Sequence, residues 1–431
     1  MLTERIRGNF RSIVAVPLQL TMTLFTIFLS CSLSGMLITG WACCFFLILY
    51  MFADRVNPKS DLEVHTLGIE IPLVIFLIIV FFGLRSSAAE GNLSPVLENL
   101  SNITLLFVFT YSLQVVKNLN RLLAILIALS TLVAGYAISQ HIVGADLLRP
   151  EMILEEIPWG TGSVHPSQGF FANHLVYAHS FMMIVCFPWA ALLLSRRSPW
   201  WQNFLYALSF VIILVSLFFS YGRGAWLALI VALPLMAFFA SRKVFLTTAF
   251  FIVLTGSLFY NLNSNIREST QTIFSESSNK NEDRKNLWHI NLEMFRDHPW
   301  IGVGYDQNEG LSQNYYDKLE IRNAPVSNAH SNYVQLLATT GFLGFTFYTL
   351  IIIIFLLMTA RLFSIIPTTH YWHRVFALGA LGAQVAFHVG GLTHWNFGDL
   401  EVQIQLIFWL AVVGYMSQRY FLHIVPDDRS L

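Results

Sequence analysis

The sequence predicts an all-α polytopic membrane protein of about twelve transmembrane helices, and three observations predict it. Hydrophobic residues make up 55% of the chain and charged residues only 12%, whereas a soluble protein needs roughly 25% charged residues to cover its surface. Mean hydropathy is correspondingly high, at +0.59. Apolar runs long enough to cross a bilayer recur from residue 13 to residue 418. A backbone in hydrocarbon must satisfy its own hydrogen bonds, so those runs are helices. The formal net charge of +0 leaves no global field that would recruit nucleic acid.

In chain order the predicted spans are 13–32, 35–53, 67–84, 101–116, 122–140, 171–194, 203–221, 225–241, 244–262, 331–360, 375–392 and 401–418. The first two come from a stretch, 13–53, that holds no charged residue and is broken only at Ser32-Leu33-Ser34-Gly35. The basic N-terminus, MLTERIRGNFR, resembles a signal peptide. A cleaved signal has a shorter apolar region and a small-residue cleavage site, so an uncleaved helical hairpin is expected.

Basic residues set the orientation. With the N-terminus in the cytoplasm, the inner segments carry Arg5, Arg7 and Arg11; Arg55 and Lys59; Lys117 and Arg121; Arg196 and Arg197; Arg242 and Lys243; Arg361 and Arg374; and Arg419 and Arg429. The short outer loops carry only Arg85, Arg149 and Arg223. All other basic residues lie in one long outer loop, where the charge bias does not apply. Both termini are therefore expected in the cytoplasm.

The domain reading is one transmembrane unit, 1–431, with two large outer loops. Loop 141–170 is acidic and marked by Pro and Gly (Glu151, Glu155, Glu156, Pro158, Gly160, Gly162). Loop 263–330 is too long to be a connector. Within it, Arg284 to Arg296 sets Leu287, Ile290, Leu292, Met294 and Phe295 among polar residues. That pattern predicts an amphipathic helix at the membrane interface, anchored by Trp288 and Trp300. Cys31, Cys43, Cys44 and Cys186 all fall in apolar runs, so no disulfide framework is expected outside the membrane.

The predicted membrane interior holds few ionisable groups: Glu70 near the cytoplasmic end of the third span and His388 near the outer end of the eleventh. Ion-coupled transporters keep such groups at mid-depth, which argues against the rival reading from another class, a solute transporter. Polar residues collect instead at the outer ends of helices. In SYGRGAW (220–226), Arg223 either snorkels to the headgroups or clamps an anion. In the second reading Gly222 and Gly224 let a phosphate approach the backbone, and the guanidinium binds two phosphate oxygens at once.

In SNAHSNYVQLLATTGFLG (327–344), His330 is either a polar residue of a capping region, with Asn328 or Ser331 as the cap, or a general base. A helix N-terminus and nearby arginines would keep its imidazole neutral. Arg284 and DHPWIGVG (297–304) lie in the long loop, where an isolated arginine is usually solvated and HP before GVG reads as a turn. Gln168, Asn173 and His174 in QGFFANH, with His394, Asn396 and Asp399 in THWNFGD, complete the candidates. No metal site is expected, since His174 and His179 do not share a helix face and HExxH is absent. Neither a Walker loop nor a dinucleotide fingerprint occurs.

Four motifs in order (SYGRGAW, then Arg284 followed by HPWIGVG, then AHSNYVQLLATTGFLG, then NFGD) resemble the O-antigen ligase and polymerase superfamily over about 168–400. The resemblance implies a membrane-embedded glycosyltransferase with a large periplasmic loop, in the bacterial inner membrane. It would move a glycan from undecaprenyl diphosphate to an acceptor hydroxyl, without a metal or other cofactor and with inversion at the anomeric carbon. A lipid A-core sugar as acceptor makes it a ligase; another lipid-linked glycan, a polymerase; a protein side chain, an O-oligosaccharyltransferase. On the matching positions, His330 would activate the acceptor, Arg223 and Arg284 would hold the diphosphate, and His174 and Asp399 would shape the site. Preorganised arginines favour the departing diphosphate more than the bound substrate. The implied partners are the lipid-linked donor, the glycan acceptor and membrane lipids.

Overall fold

The computed structural model describes residues 2–55, 65–86, 101–116, 118–159, 162–195, 199–262, 279–322 and 324–421, with residues 62, 97 and 267 besides. Its helices are α1 (Leu2–Phe28), α2 (Leu33–Arg55), α3 (Glu70–Ser86), α4 (Leu105–Val115), α5 (Leu119–Val143), α6 (His174–Ile184), α7 (Cys186–Leu194), α8 (Trp200–Phe218), α9 (Arg223–Ala240), α10 (Arg242–Leu262), α11 (Asn279–Asp297), α12 (Asn308–Lys318), α13 (Asn332–Ile365), α14 (Tyr371–Gly390) and α15 (Leu400–Phe421). Among the described residues the only sheet is a hairpin, β1 (Ile157–Trp159) antiparallel to β2 (Gly162–Val164). The chain is thus an all-α polytopic membrane protein.

Among the described residues, eight helical stretches have the length and hydropathy to cross a bilayer: Leu33–Ala53, Leu119–Val143, His174–Leu194, Trp200–Phe218, Arg223–Ala240, Arg242–Leu262, Asn332–Ile365 and Leu400–Phe421. Shorter apolar helices lie at Ser12–Phe28, Glu70–Leu84 and Leu105–Val115. Local chemistry sets several ends. The Asn118 side chain accepts the Arg121 N–H at the start of α5, and Gly144 closes that helix with φ 71°. Asn173 caps α6 by accepting the N–H groups of Leu175 and Val176, satisfying donors that a helix start leaves open.

Helix α14 is the hub, packed against α6, α7, α9, α13 and α15. Its small residues explain why. A Cβ on Gly379 would lie 2.5 Å from a ring carbon of Phe187, and one on Gly382 would lie 2.2 Å from the Met236 sulfur. Lipid offers helices no hydrophobic reason to associate, so close van der Waals packing over small residues does that work.

The long loop builds a second, smaller core. Leu287, Ile290 and Met294 of α11 are buried with Val303, Tyr315, Tyr316 and Ala338. Those three residues of the apolar stripe that the sequence assigned to the membrane interface are therefore covered by protein, because α11 packs on α13, while Leu292 is exposed. Trp288, expected as a headgroup anchor, donates its indole N–H to the Ala329 carbonyl at 2.8 Å.

A break in α13 fixes this core to the bundle. Gly341 has φ 64° and ψ −169°, a region essentially closed to other residues. The break frees backbone groups on both sides, and HPWIGVG takes them. Val303 and Gly304 donate to the Ala338 and Thr339 carbonyls at 3.0 and 3.1 Å, while Phe342 and Leu343 donate to the Pro299 and Trp300 carbonyls at 2.7 and 3.1 Å. The two backbones touch: a Cβ on Gly302 would lie 2.4 Å from the Thr339 carbonyl carbon. What read as an ordinary turn is a backbone plug in a broken helix.

Candidate functional site

His330 sits in the turn just before α13. Its φ is 46°, a left-handed conformation that costs a residue with a Cβ roughly 1–3 kcal/mol. Side chains hold the turn in place. Asn328 Oδ1 accepts the His330 N–H at 3.0 Å, and Gln335 Oε1 accepts the Ala329 N–H at 2.9 Å. Gln335 belongs to a buried amide cluster: Asn308 Nδ2 donates to Gln335 Oε1 and to Asn291 Oδ1, each at 2.9 Å, and Gln335 Nε2 donates to Asn308 Oδ1 at 2.6 Å. Thus α11, α12 and α13 all position one histidine. Ser331 occupies the N-cap without a side-chain cap bond.

The imidazole is held neutral. Burial comes first, then the charges of Arg284 and His394, with Asp399 opposing; together they bring its pKa down to about 4. Burial outweighs the arginine, where the sequence had suggested a helix terminus and arginines alone. His330 Nδ1 is buried without a hydrogen-bond partner.

Arg223 opens α9, after a turn in which Tyr221 takes φ 55°. Gly222 and Gly224 answer to helix packing. A Cβ at Gly222 would lie 2.6 Å from Ala178 Cβ, and one at Gly224 would lie 2.5 Å from Thr393 Oγ1. Anion access is not what requires glycine at those positions. Trp159 of the hairpin lies against Tyr221, ring centroids 4.6 Å apart, so loop 141–170 abuts this turn.

Arg284 projects from α11. Its surface is accessible, yet the protein around its guanidinium, and secondly the cation of Arg223, lower its pKa. Neither arginine forms an ion pair or hydrogen bond with a side chain among the described residues. Arg149 shows the alternative. It binds Asp146 Oδ2 through Nε at 3.0 Å and Nη2 at 2.7 Å, and Nη2 also reaches the Gly169 carbonyl at 2.8 Å. It is a structural arginine, fully used.

Asp399 accepts from His394 Nε2 at 2.9 Å, and the His394 ring lies near-parallel to that of His330, 6.2 Å away and tilted 26°. The turn carrying both is tied to the His330 motif by Asn332, whose Nδ2 donates to Asn396 Oδ1 at 2.5 Å and whose Oδ1 accepts the Phe397 N–H at 3.2 Å. His330, Arg284, Arg223 and Asp399 therefore share one electrostatic neighbourhood. His174 does not join it directly: its Nδ1 pairs with Glu155 Oε2 at 2.6 Å, tying α6 to loop 141–170. Gln168 is buried with Oε1 unpartnered.

The sequence reading missed Asn291, Asn308 and Gln335, which carry no periodic or charge signal. His179 was weighed only as a metal ligand, yet its ring stacks on His394 at 4.4 Å and 17°.

Residues 208–349, which contain Arg223, Arg284 and His330, match the family model described as O-antigen ligase. The chain has no match among curated proteins. The motifs and this match agree, and over residues 208–349 the chain is similar to the O-antigen ligase superfamily.

Proposed function

We propose that this protein transfers a glycan from undecaprenyl diphosphate to a lipid A-core sugar on the periplasmic side of the bacterial inner membrane. The family supports glycan transfer of the O-antigen ligase type. One observation supports the finer reading: Arg284, with Arg223 next to it, lies beside a neutral histidine, and neither guanidinium has an ion-pair partner among the described residues. In this scheme His330 takes the proton from the acceptor hydroxyl as that oxygen attacks the anomeric carbon. The bond to the diphosphate breaks on the opposite face, inverting the centre. Arg223 and Arg284 stabilise the charge on the leaving diphosphate, and a fixed cation pair is worth more as charge builds up there. His174, through Glu155, and Asp399 shape the site. The reading includes twelve spans, cytoplasmic termini, and loops 141–170 and 263–330 facing the periplasm.

The direct test replaces His330 by alanine in the full-length chain. General-base removal costs on the order of 10²–10⁴ in rate. With membrane expression maintained, surface polysaccharide should lose its attachment to lipid A-core while lipid-linked polymer accumulates. Unchanged attachment overturns the role of His330. Single repeat units in place of polymer would indicate a polymerase, and loss of glycoprotein a protein glycosyltransferase.

A further inference from the structure

From His330 toward the interior of the bundle runs a column of three imidazoles: His330, His394 and His179. His394 occupies its centre, 4.4 Å from the His179 ring on one side and 6.2 Å from the His330 ring on the other. A carboxylate can only accept a hydrogen bond, so the 2.9 Å contact to Asp399 Oδ2 places the His394 proton on Nε2. His179 Nδ1 likewise donates to the Leu175 carbonyl at 2.9 Å. Each of these rings has its tautomer fixed. His330 does not, because its Nδ1 is buried with no partner.

A histidine that accepts a proton usually has a carboxylate on its far nitrogen to stabilise the imidazolium. Here that place is empty, and Arg284 adds repulsion. Among the described residues, the negative charge that favours protonated His330 is Asp399, and it acts through space. We propose that His394 and Asp399 work as one unit, in which His394 positions the Asp399 carboxylate so that its charge offsets the imidazolium formed on His330 during transfer. This deepens the proposed function and rests on it. The acceptor O–H proton moves to the exposed edge of His330, the oxygen–carbon bond forms, and the carbon–oxygen bond to the diphosphate breaks with its electron pair. The proton then leaves His330 for water. His394 is a positioning residue, since it touches the carboxylate and not the reacting atoms.

The groups at and around this column are Arg284 on α11, with Arg223 on α9 beside it; His179 on α6; His394 and Asp399 on the turn before α15; and Glu401 on α15, which feels the Asp399 charge. The experiment measures transfer against pH for the full-length protein in lipid vesicles, with a synthetic polyprenyl-diphosphate glycan as donor. Asp399→Asn removes the group that raises the His330 pKa, so the acidic limb should move to lower pH. kcat should fall roughly tenfold per pKa unit of imidazolium stabilisation lost, with the donor KM unchanged.

Two variants of His394 separate positioning from packing. His394→Gln keeps an N–H donor where Nε2 lies, and should retain most of the activity. His394→Phe keeps the stacked ring without the donor; both variants also remove the His394 contribution that opposes protonation of His330, so they are compared in kcat, which should fall in Phe as it does in Asp399→Asn. Phe outperforming Gln, or an unmoved limb in Asp399→Asn, overturns the inference. His330→Ala in the same assay separates the two levels. If it retains full transfer, the base assignment itself has failed; if it is inactive, an unmoved limb counts against the His394–Asp399 unit alone.

Discussion

The two ends of α14 each carry a histidine cluster, and they differ in one respect. At the start of the helix, His370 Nδ1 and His373 Nδ1 both meet the Tyr420 hydroxyl at 2.6 Å, and Arg374 Nη1 donates to the Ile366 carbonyl at 2.9 Å. A phenol hydroxyl can donate to one ring and accept from the other, so that cluster is complete. Beyond the far end, His330 Nδ1 and His179 Nε2 are buried without partners, and two arginines have no counter-ion among the described residues. The 20 residues of α14 put about 30 Å between the clusters. Residue type does not distinguish them; unfilled bonding capacity does. Buried polar groups are normally satisfied, and under the proposed function the open cluster is the one that substrate would complete.

The largest effect that tests this contrast comes from the arginines. Arg223→Ala removes one of two cations that have no counter-ion among the described residues, and under the proposed function the loss of one transition-state donor costs on the order of 10²–10³ in kcat. The donor KM should change less than kcat. Arg149→Ala is the control on the other kind of arginine. It should reduce stability by breaking the Asp146 network, and transfer per folded molecule should hold. Equal losses of kcat in both variants would erase the distinction between a waiting and a used guanidinium.

Arg284 adds a pH signature with a definite sign. Its cation lowers the His330 pKa, and under the proposed function neutral His330 is the active form. Activity should therefore persist as pH falls through the ordinary histidine range and fail only near pH 4, where His330 becomes protonated. Arg284→Gln removes the repulsion and should move that limb upward, opposite to Asp399→Asn. A limb that stays near the ordinary histidine value of roughly 6.5 in the unmodified protein would show that His330 is not the titrating base.

A third variant tests how the open site is held. Gly341→Ala forces a Cβ into a φ/ψ region nearly reserved for glycine, 2.5 Å from the Ile301 nitrogen. Strain of this kind costs about 1–3 kcal/mol before any clash is counted. We expect lower thermal stability in detergent and faster proteolysis between residues 279 and 322, because the plug that joins this segment to α13 no longer fits. Unchanged protection would mean that α11 docks without the plug.

Much of this was legible in the sequence, for identifiable reasons. The bundle follows from apolar runs, whose hydropathy reports directly on the solvent they face. Arg223 and His330 stand out because a charge between glycines and a histidine at a helix start are local patterns. The closure of Gly302 on Gly341 was not legible, since each glycine alone reads as a turn or a weak helix position, and only their approach across 39 positions of chain explains both. The amide cluster of Asn291, Asn308 and Gln335 was equally hidden. Amides have neither periodicity nor charge, and their value lies in pairing at long range. The protein partner of the α11 stripe was hidden for a related reason: an amphipathic stripe says that a face is covered, and part of its cover here, Ala338 with Val303 and Tyr316, lies far along the chain.

The smallest expected effect comes from the closed cluster. Tyr420→Phe deletes the hydroxyl that serves both His370 and His373 and leaves two ring nitrogens short of a partner. Exposing that deficit costs about 1–3 kcal/mol in stability, less if water reaches the cluster. Because the site at the other end of α14 shares none of these groups, kcat and the acidic limb should match the unmodified protein. A thermal shift without a kinetic change separates a histidine cluster that holds helices together from one that awaits substrate. Loss of transfer in Tyr420→Phe would show instead that α14 couples its two ends, and the contrast would have to be redrawn as one connected network.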